Sequence, residues 1–368
     1  MQPTIEILDR IRKNSRDNKE EIFTRLYRYL LRPDLYYLAY KNLYANKGAG
    51  TKGVNDDTAD GFSKEKVDRI IQSLADGTYT PNPVRRKYIQ KKQNSTKKRP
   101  LGIPTFTDKL VQEVLRMILE SVYEPIFSNN SHGFRPNRSC HTALKSLKRE
   151  FSGVSWFIEG DIKGCFDNID HQVLANVINA KIKDARLIQL IWKFLKAGYM
   201  EDWQYHATYS GCPQGGIVSP ILANIYLNEL DKFVEKTAKE FYKSRDRHHT
   251  PEYDKVTWQI KKAQKQLKTA TGQEKTALLQ KIAQLKAVMH KTPCMSKTDK
   301  VIKYIRYADD FILGVKGDKA DCERIKRQLS DFISQTLKME LSEQKTLITH
   351  SNQYARFLGY DILSLIHI

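Results

Sequence analysis

The spacing of apolar residues alternates along the chain between helical and extended patterns, which predicts a mixed α+β fold. Apolar residues three and four positions apart predict amphipathic helices over 20–31, 34–44, 110–119 and 320–337. β-branched and aromatic residues instead dominate 156–162 and 303–315, which we interpret as strands. A basic stretch, 84–103, has the pattern of a hairpin with its turn at 93–96, and a further strand is expected over 357–360.

A second kind of helical region begins near residue 240, where the composition shifts to Lys, Gln, Ala and Thr. Apolar stripes over 260–270 and 278–289 are separated by a break at Thr271 and Gly272, which predicts a basic helical hairpin inserted between two parts of the core. Its lysine excess is consistent with a grip on RNA, but a solvated coiled-coil arm accounts for the same pattern.

The segment KYIRYADDFILGV, residues 303–315, places two adjacent carboxylates between β-prone runs. Asp309 and Asp310 therefore fall at the turn of a predicted hairpin, either as ligands for a hard divalent cation or as an ordinary solvated turn. A separate strand ends in Asp161, which alone is equally consistent with a strand-end cap. If Asp161 lies beside the hairpin turn, three carboxylates converge, enough to hold two divalent ions.

Charge and cysteine usage narrow the class of protein. Lys and Arg number 62 against 42 Asp and Glu, a net charge of +20, which favours a polyanionic partner such as nucleic acid over an anionic membrane surface. No apolar run approaches the length of a membrane-spanning helix, and the first residues do not form a signal peptide. The five cysteines are scattered without a C-x-x-C pair, which disfavours a disulfide scaffold or structural zinc and suits a reducing compartment.

Glycine-rich and basic segments supply further candidate contacts. The loop at 46–53 offers lysines and backbone amides to phosphates, although a plain flexible loop is as good an interpretation. Arg85 and Arg86 on the basic hairpin suit phosphate contacts, or else a charged solvated edge. In the turn at 211–216, Gln214 lacks bulky neighbours and is placed to approach a base or sugar, although the glycines are also consistent with nothing more than a cramped backbone.

Taken in order, these motifs resemble the conserved blocks of reverse transcriptases, most closely those encoded by group II introns. The resemblance covers most of 85–360 and rests on several long segments: RPLGIPTFTDKLVQEVLRMILE, YEPIFSNNSHGFRPNRSCHTAL, FIEGDIKGCFDNIDH, GCPQGGIVSPILANIYLNELD, RYADDFILG, LSEQKT and FLGY. Where the family usually has Pro-Gly-Val-Asp-Gly, this chain has Lys52-Gly53-Val54-Asn55-Asp56, so template contacts by that loop are in doubt.

The resemblance implies a right-hand polymerase with fingers and palm, in which an antiparallel palm sheet packs on helices and a helical hairpin is inserted. The implied divisions are an N-terminal helical extension, fingers, a first palm part, the basic insertion, a second palm part and a tail unlike the family, at 1–45, 46–150, 151–239, 240–300, 301–362 and 363–368. Because the family continues into thumb, maturase and often endonuclease regions, we interpret the chain as a truncated reading frame with a spurious tail.

The resemblance also assigns roles to individual residues. The implied catalytic and metal-binding carboxylates, with Ile162 counted among the metal-binding residues of a site for two Mg²⁺ ions, are Asp161, Asp309 and Asp310. The implied nucleotide-binding residues, with Phe166 excluding a ribonucleotide's 2′-hydroxyl, are Lys98, Arg99, Phe166, Gln214 and Gly215. The implied primer and template contacts are Tyr307, Lys345, Gly359, Arg85 and Arg86.

The function implied is an RNA-directed DNA polymerase that extends a DNA primer on intron RNA and serves intron splicing and mobility. Its partners would be group II intron RNA, a DNA primer or target, and deoxynucleoside triphosphates, in a bacterial cytoplasm. Two alternatives stay open: a splicing maturase that chiefly binds RNA, and another bacterial reverse transcriptase class, of the retron or diversity-generating kind.

Overall fold

The computed structural model describes residues 4–46, 48–91, 94–212, 215–244, 249–294 and 299–363. Its α-helices are α1 (Thr4–Asp17), α2 (Pro33–Tyr44), α3 (Lys64–Ala75), α4 (Phe106–Tyr123), α5 (Cys140–Glu150), α6 (His171–Lys181), α7 (Ala185–Leu195), α8 (Ser219–Phe241), α9 (Pro251–Leu267), α10 (Gly272–Lys291) and α11 (Lys319–Gln335). Its strands are β1 (Val84–Lys91), β2 (Asn94–Ile103), β3 (Trp156–Asp161), β4 (Tyr199–Glu201), β5 (Gln204–His206), β6 (Val301–Tyr307), β7 (Asp310–Lys316), β8 (Ile348–His350), β9 (Ala355–Phe357) and β10 (Tyr360–Ile362).

The central sheet is antiparallel throughout, with strand order β6-β7-β3-β8. Its two middle strands, β3 and β7, consist almost entirely of buried residues, because α8 and α11 cover one face while α5 and β9 cover the other. Gly160 faces the ring of Phe311 across these strands, and a Cβ at Gly160 would collide with that ring. The mixed α+β class and the antiparallel sheet packed on helices are confirmed.

A second sheet, which we call the basic sheet, has the order β2-β1-β4-β5. The predicted hairpin over 84–103 is confirmed as β1 and β2, but its turn is not at 93–96, since β2 already begins at Asn94. Gln93 lies outside the described residues, as do Gln214 and the tail residues 364–368. β1 pairs in parallel with β4, and β4 forms a short hairpin with β5.

Helix α4 runs through the core, so most of its residues are buried, including the polar Lys109, Gln112 and Glu113. Thr105 caps it by accepting a hydrogen bond from the Asp108 amide, and α1 and α2 pack against it. Asp170 caps α6 in the same way through the Val173 amide.

Two predicted elements are wrong. The segment 20–31 is no α-helix: Phe23 forms a parallel bridge with Ile182, and only Tyr27–Leu31 turn into a short 3₁₀ helix. The Asp184 carboxylate accepts the Tyr27 amide, so contacts across the fold outweigh the local helical pattern. Residues 357–360 are not one strand either, because the chain turns at Leu358 and Gly359 between β9 and β10, which form a separate two-stranded ribbon.

The predicted helical hairpin is confirmed as α9 and α10, which pack against each other and which we call the arm. Its described part buries few side chains, among them Ile260, Ala263 and Ile282. At its base, Lys243 and Lys300 exchange both backbone hydrogen bonds, at 2.9 and 3.0 Å. In the described part of the chain, no helix combines the length and apolarity needed to cross a bilayer.

Candidate active site

The end of β3 and the start of β7 bring two carboxylates face to face. Asp161 and Asp310 are directly opposed in the antiparallel register, so their side chains project from the same face of the sheet. Their carboxyl groups share a hydrogen bond, and Asp309 lies in the turn immediately before Asp310. Asp161 and Asp310 therefore lie side by side, and Asp309 is near enough for the charge of Asp161 to act on its carboxyl group.

The turn that carries Asp309 is a tight two-residue connection between β6 and β7. Ala308 adopts a φ of +56°, a conformation that costs energy for any residue with a Cβ. Gly133 lies against the backbone of this turn, and a side chain there would collide with the Ala308 nitrogen. The segment 131–133 thus buttresses the turn from outside the hairpin.

A buried ion pair beneath the turn was not among the predicted site residues. Arg306 and Asp231 are both 0% exposed, and the Asp231 carboxylate accepts from Arg306 Nε at 2.7 Å and Nη2 at 2.6 Å. Tyr304 donates its hydroxyl to the same carboxylate at 2.8 Å. Arg306 also donates to the Ala308 carbonyl at 2.9 Å, which ties the pair directly to the turn.

The sequence contained a signal for this pair that pattern analysis passed over. Arg306 stands two residues after the buried Tyr304 on an alternating strand, so it faces the same side of the sheet. An arginine at that position needs a buried acidic partner, and Asp231 lies on the inward face of α8.

The carboxylates carry a negative charge that the fold does not fully compensate. Burial first, then the charge of Asp309 and the hydrogen bond with Asp161, raise the pKa of Asp310 to about 7. Burial also raises the pKa of Asp309, with the Asp161 charge adding to the effect. A cation close to the two carboxylates would lower both pKa values.

Lys345 supplies part of that compensation, because its ammonium group lies 2.9 Å from Asp161 Oδ2. The hydrogen bond with Asp161 raises the pKa of Lys345. The loop that carries it is held by the Ser342 amide, which donates to the Asp161 carbonyl at 2.8 Å.

Phe166 lies just beyond the carboxylates, in the 3₁₀ turn Cys165–Asp167, and is partly buried against the core. Phe134 meets it edge to face with ring centroids 5.9 Å apart. Phe134 is half exposed and has a φ of +56°, so the same segment that supports the acidic turn also supports the Phe166 ring.

The predicted cations of the basic sheet do not share one face. Lys98 and Arg99 are consecutive exposed residues of β2 and therefore project to opposite faces. Arg85 donates to the Lys52 carbonyl, whereas Arg86 lies over the Tyr199 ring at 3.3 Å. Gly215, with a φ of +105°, packs so closely on Leu101 and Gly102 that a side chain would not fit.

The remaining predicted contacts are Tyr307, Gly359 and Ile162, and they differ in their surroundings. Tyr307 pairs with Asp310 in the hairpin register, and its hydroxyl hydrogen-bonds with Cys140. Gly359 lies in the β9–β10 turn with a φ of +82°, and a Cβ there would meet no described atom within 4 Å. Ile162 is fully buried, so only its backbone oxygen offers a ligand.

Comparison with known proteins decides the family. Residues 89–259 match the family described as reverse transcriptase (RNA-dependent DNA polymerase). The group II intron-encoded protein LtrA of Lactococcus lactis subsp. cremoris is 65% identical over 362 residues, covering 98% of this chain and 60% of LtrA. Protein YkfC of Escherichia coli K12 is 32% identical over 92% of this chain and 83% of that protein. The chain belongs to the reverse transcriptase family.

This reverse transcriptase is a homologue of LtrA and spans about 60% of its length. A solved telomerase from Candida tropicalis aligns with a TM-score of 0.47 and 15% identity, over 77% of this chain and 54% of that chain. Family membership implies the use of a divalent metal ion.

The carboxylates of Asp161, Asp309 and Asp310 suit such an ion chemically, although their side chains are not already arranged around one metal position. Among the described residues, no three His, Cys, Asp or Glu side chains are arranged as ready ligands. The ammonium group of Lys345 lies against Asp161 instead. Carboxylate oxygens are the ligands that hard divalent cations prefer, and the raised pKa values of Asp309 and Asp310 show where positive charge is lacking.

Proposed function

We propose that this chain is the polymerase part of a group II intron-encoded protein and extends a DNA primer on an RNA template. The observation that carries the proposal is the pairing of Asp161 with Asp310 at the end of the two middle strands of a buried antiparallel sheet, with Asp309 in the adjoining turn. The central sheet would be the palm, from 151–239 and 301–362. The fingers would be 46–150, preceded by a helical extension at 1–45, and the basic insertion at 240–300 would interrupt the palm after α8.

In this proposal the three carboxylates, with the Ile162 carbonyl, hold two Mg²⁺ ions. When bound, such ions lower the pKa of a primer 3′-hydroxyl and neutralise the leaving pyrophosphate. The protein's own contribution is then positioning, because phosphoryl transfer leaves little covalent work to side chains. The Arg306–Asp231 pair and Gly133 hold the turn that aims Asp309 and Asp310.

The incoming deoxynucleoside triphosphate would lie on the Arg99 face of β2, where Gly215 packs on Leu101. Arg99 would bind its phosphates, and Phe166 would contact the sugar, excluding a 2′-hydroxyl. Gln214 is assigned to the same pocket by its position in the family motif. Lys98 belongs to the opposite face of the strand, so we withdraw it from the triphosphate site.

Primer and template contacts follow the same reasoning. Tyr307 and Lys345 flank the carboxylates and are proposed to meet the primer end, with Gly359 offering an open backbone further along it. Arg85 and Arg86 are proposed as template contacts. We place these substrates and group II intron RNA in a bacterial cytoplasm.

The test is primer extension by purified protein carrying this chain, with an RNA template, a DNA primer and varied Mg²⁺ or Mn²⁺. Asp309→Ala should abolish extension, whereas Asp331→Ala, an exposed aspartate on α11, should leave the rate unchanged. Inactive wild-type protein under all metal concentrations, or an active Asp309→Ala variant, would refute the proposal.

A second role, splicing maturase, is favoured by the arm. Residues 251–291 contain nine lysines against three acidic residues, and the exposed Trp258 carries the ammonium group of Lys262 over its ring at 5.2 Å. Such a surface suits RNA phosphates and bases. If splicing is separable from polymerisation, Asp309→Ala protein will still splice intron RNA, whereas exchanging arm lysines for glutamine will lower RNA affinity.

A further inference from the structure

One face of the basic sheet carries stacked rings that the polymerase site does not use. Arg86 lies over the Tyr199 ring at 3.3 Å, and the Tyr199 and His206 rings stack with centroids 4.8 Å apart and planes 14° from parallel. Arg86 is also paired with Glu201 at 3.6 Å. The sheet therefore presents a column of flat groups already held in stacking geometry.

A cavity of about 400 Å³ adjoins this column, within the size range of small-ligand sites. Arg86, Tyr199, Pro100, Gly102, Asp167 and Tyr209 contribute to its lining. Pro100 and Gly102 alternate with Arg99 and Leu101 along β2, so the cavity lies on the face opposite the proposed triphosphate site.

Two aromatic side chains of this region project into solvent. Tyr209, which lines the cavity, is 90% exposed, and Trp203, at the tip of the β4–β5 hairpin, is 87% exposed. Trp203 and its neighbour Asp202 both adopt positive φ, at +62° and +48°, although neither is glycine. Folding gains little from rings held in water, which makes these two rings candidate contacts for a binding partner.

We propose that this stacking surface, formed by Arg86, Tyr199, Trp203, His206 and Tyr209, binds unpaired bases of a single-stranded nucleic acid. Aromatic rings stack on any base, and cations beside them attract the backbone. Lys98 lies on the same face, two positions before Pro100, and the chain's net charge is +20. Bases inside a duplex are stacked on one another, so the unpaired part of the template is the fitting occupant.

The proposal rests on the proposed function only in taking a nucleic-acid template as the ligand. Its test therefore measures binding without catalysis, in EDTA and without nucleotides. The probe is a fluorescein-labelled DNA primer on an RNA template with a ten-nucleotide single-stranded 5′ overhang, compared with the same duplex made blunt. A 2-aminopurine in the overhang reports stacking directly through quenching of its fluorescence.

Trp203→Ala and Tyr209→Ala should each weaken binding of the overhang probe roughly fivefold or more, and the double variant should lose the 2-aminopurine quenching. Binding of the blunt duplex should not change. Trp203→Phe and Tyr209→Phe should restore most of the affinity, because a ring remains. Tyr242→Ala, which removes a ring that is 63% exposed elsewhere on the surface, is the matched control.

Three results would overturn the inference. The first is an overhang affinity and a 2-aminopurine quenching that stay unaltered in the double variant. The second is an equal loss of affinity for the blunt duplex. The third is a changed sedimentation coefficient of the free variants, which would make this face a protein contact. Because binding is read without extension, an inactive polymerase with normal quenching would refute the proposed function and leave the stacking surface standing.

Discussion

Replacing Asp231 with alanine should lower the free energy of unfolding by about 3–5 kcal/mol, because it leaves the Arg306 guanidinium buried without its counter-charge. Asp231 accepts two charged hydrogen bonds from Arg306 and one from Tyr304. Charge-assisted bonds are worth about 1.5–3 kcal/mol each, so the bonds alone account for a loss of this size. The loss is a large share of the roughly 5–15 kcal/mol that stabilises a typical domain.

The assay is urea unfolding followed by circular dichroism, with a double-mutant cycle. The cycle compares Asp231→Leu, Arg306→Met and the variant that carries both changes. The double variant should lose much less unfolding free energy than the sum of the two single losses, since no buried ion is left unpaired. The double variant should fold yet polymerise slowly and need more Mg²⁺, because the Ala308 carbonyl has lost its donor. This reasoning would be refuted by strictly additive losses of unfolding free energy, or by a loss below about 1 kcal/mol for Asp231→Ala.

Three further predictions concern the residues around the turn. Phe166→Val should raise kcat/KM for ribonucleotides relative to deoxynucleotides, and unchanged discrimination in competition assays would remove Phe166 from the sugar contact. Gly133→Ala should lower the extension rate at least roughly tenfold by pushing on the turn at Ala308, whereas Gly61→Ala, whose Cβ meets only Lys66 Nζ at 3.6 Å, should not. Burial lowers the pKa of His132 to about 4, so His132 should contribute a loss of about 3 kcal/mol between pH 6.5 and pH 4, because the unfolded chain takes up the proton first. The raised pKa of Asp310 acts in the opposite direction in any variant that keeps it, so the loss is measured as the difference in unfolding free energy between the wild type and His132→Asn. A difference that stays the same at both pH values would contradict the prediction.

The elements that pattern analysis predicted correctly are those whose apolar spacing and end signals agree. Helix α11, the arm and the β6–β7 hairpin all have regular stripes or runs bounded by turn residues, so local sequence is enough to place them. The segment 20–31 has a helical stripe too, yet its conformation is set by backbone contacts with Ile182 and Asp184, which are far away in sequence. Tertiary contacts decide such a segment, and no local pattern contains them.

The positions of the candidate-site carboxylates in the fold were predictable because Asp161 ends β3, Asp310 begins β7 and Asp309 lies in the turn before it, in the order of a recognisable motif. The residues that hold the acidic turn could not be predicted in this way. The partner of Arg306 lies 75 residues away on α8, and Gly133 contacts the turn from a separate loop. The division of Lys98 and Arg99 between two faces follows from strand alternation alone, and sequence analysis had enough information to separate them.

The base of the arm has a consequence for how this protein can vary. Lys243, which follows α8, and Lys300, which precedes β6, are joined by a pair of backbone hydrogen bonds. The chain therefore leaves the rest of the fold and returns to it at a single point. Whatever lies between them closes a loop, and the entropy of closing a loop grows only slowly with its length. The arm is therefore an exchangeable module, which can be lengthened, shortened or replaced in sequence without disturbing the register of β6.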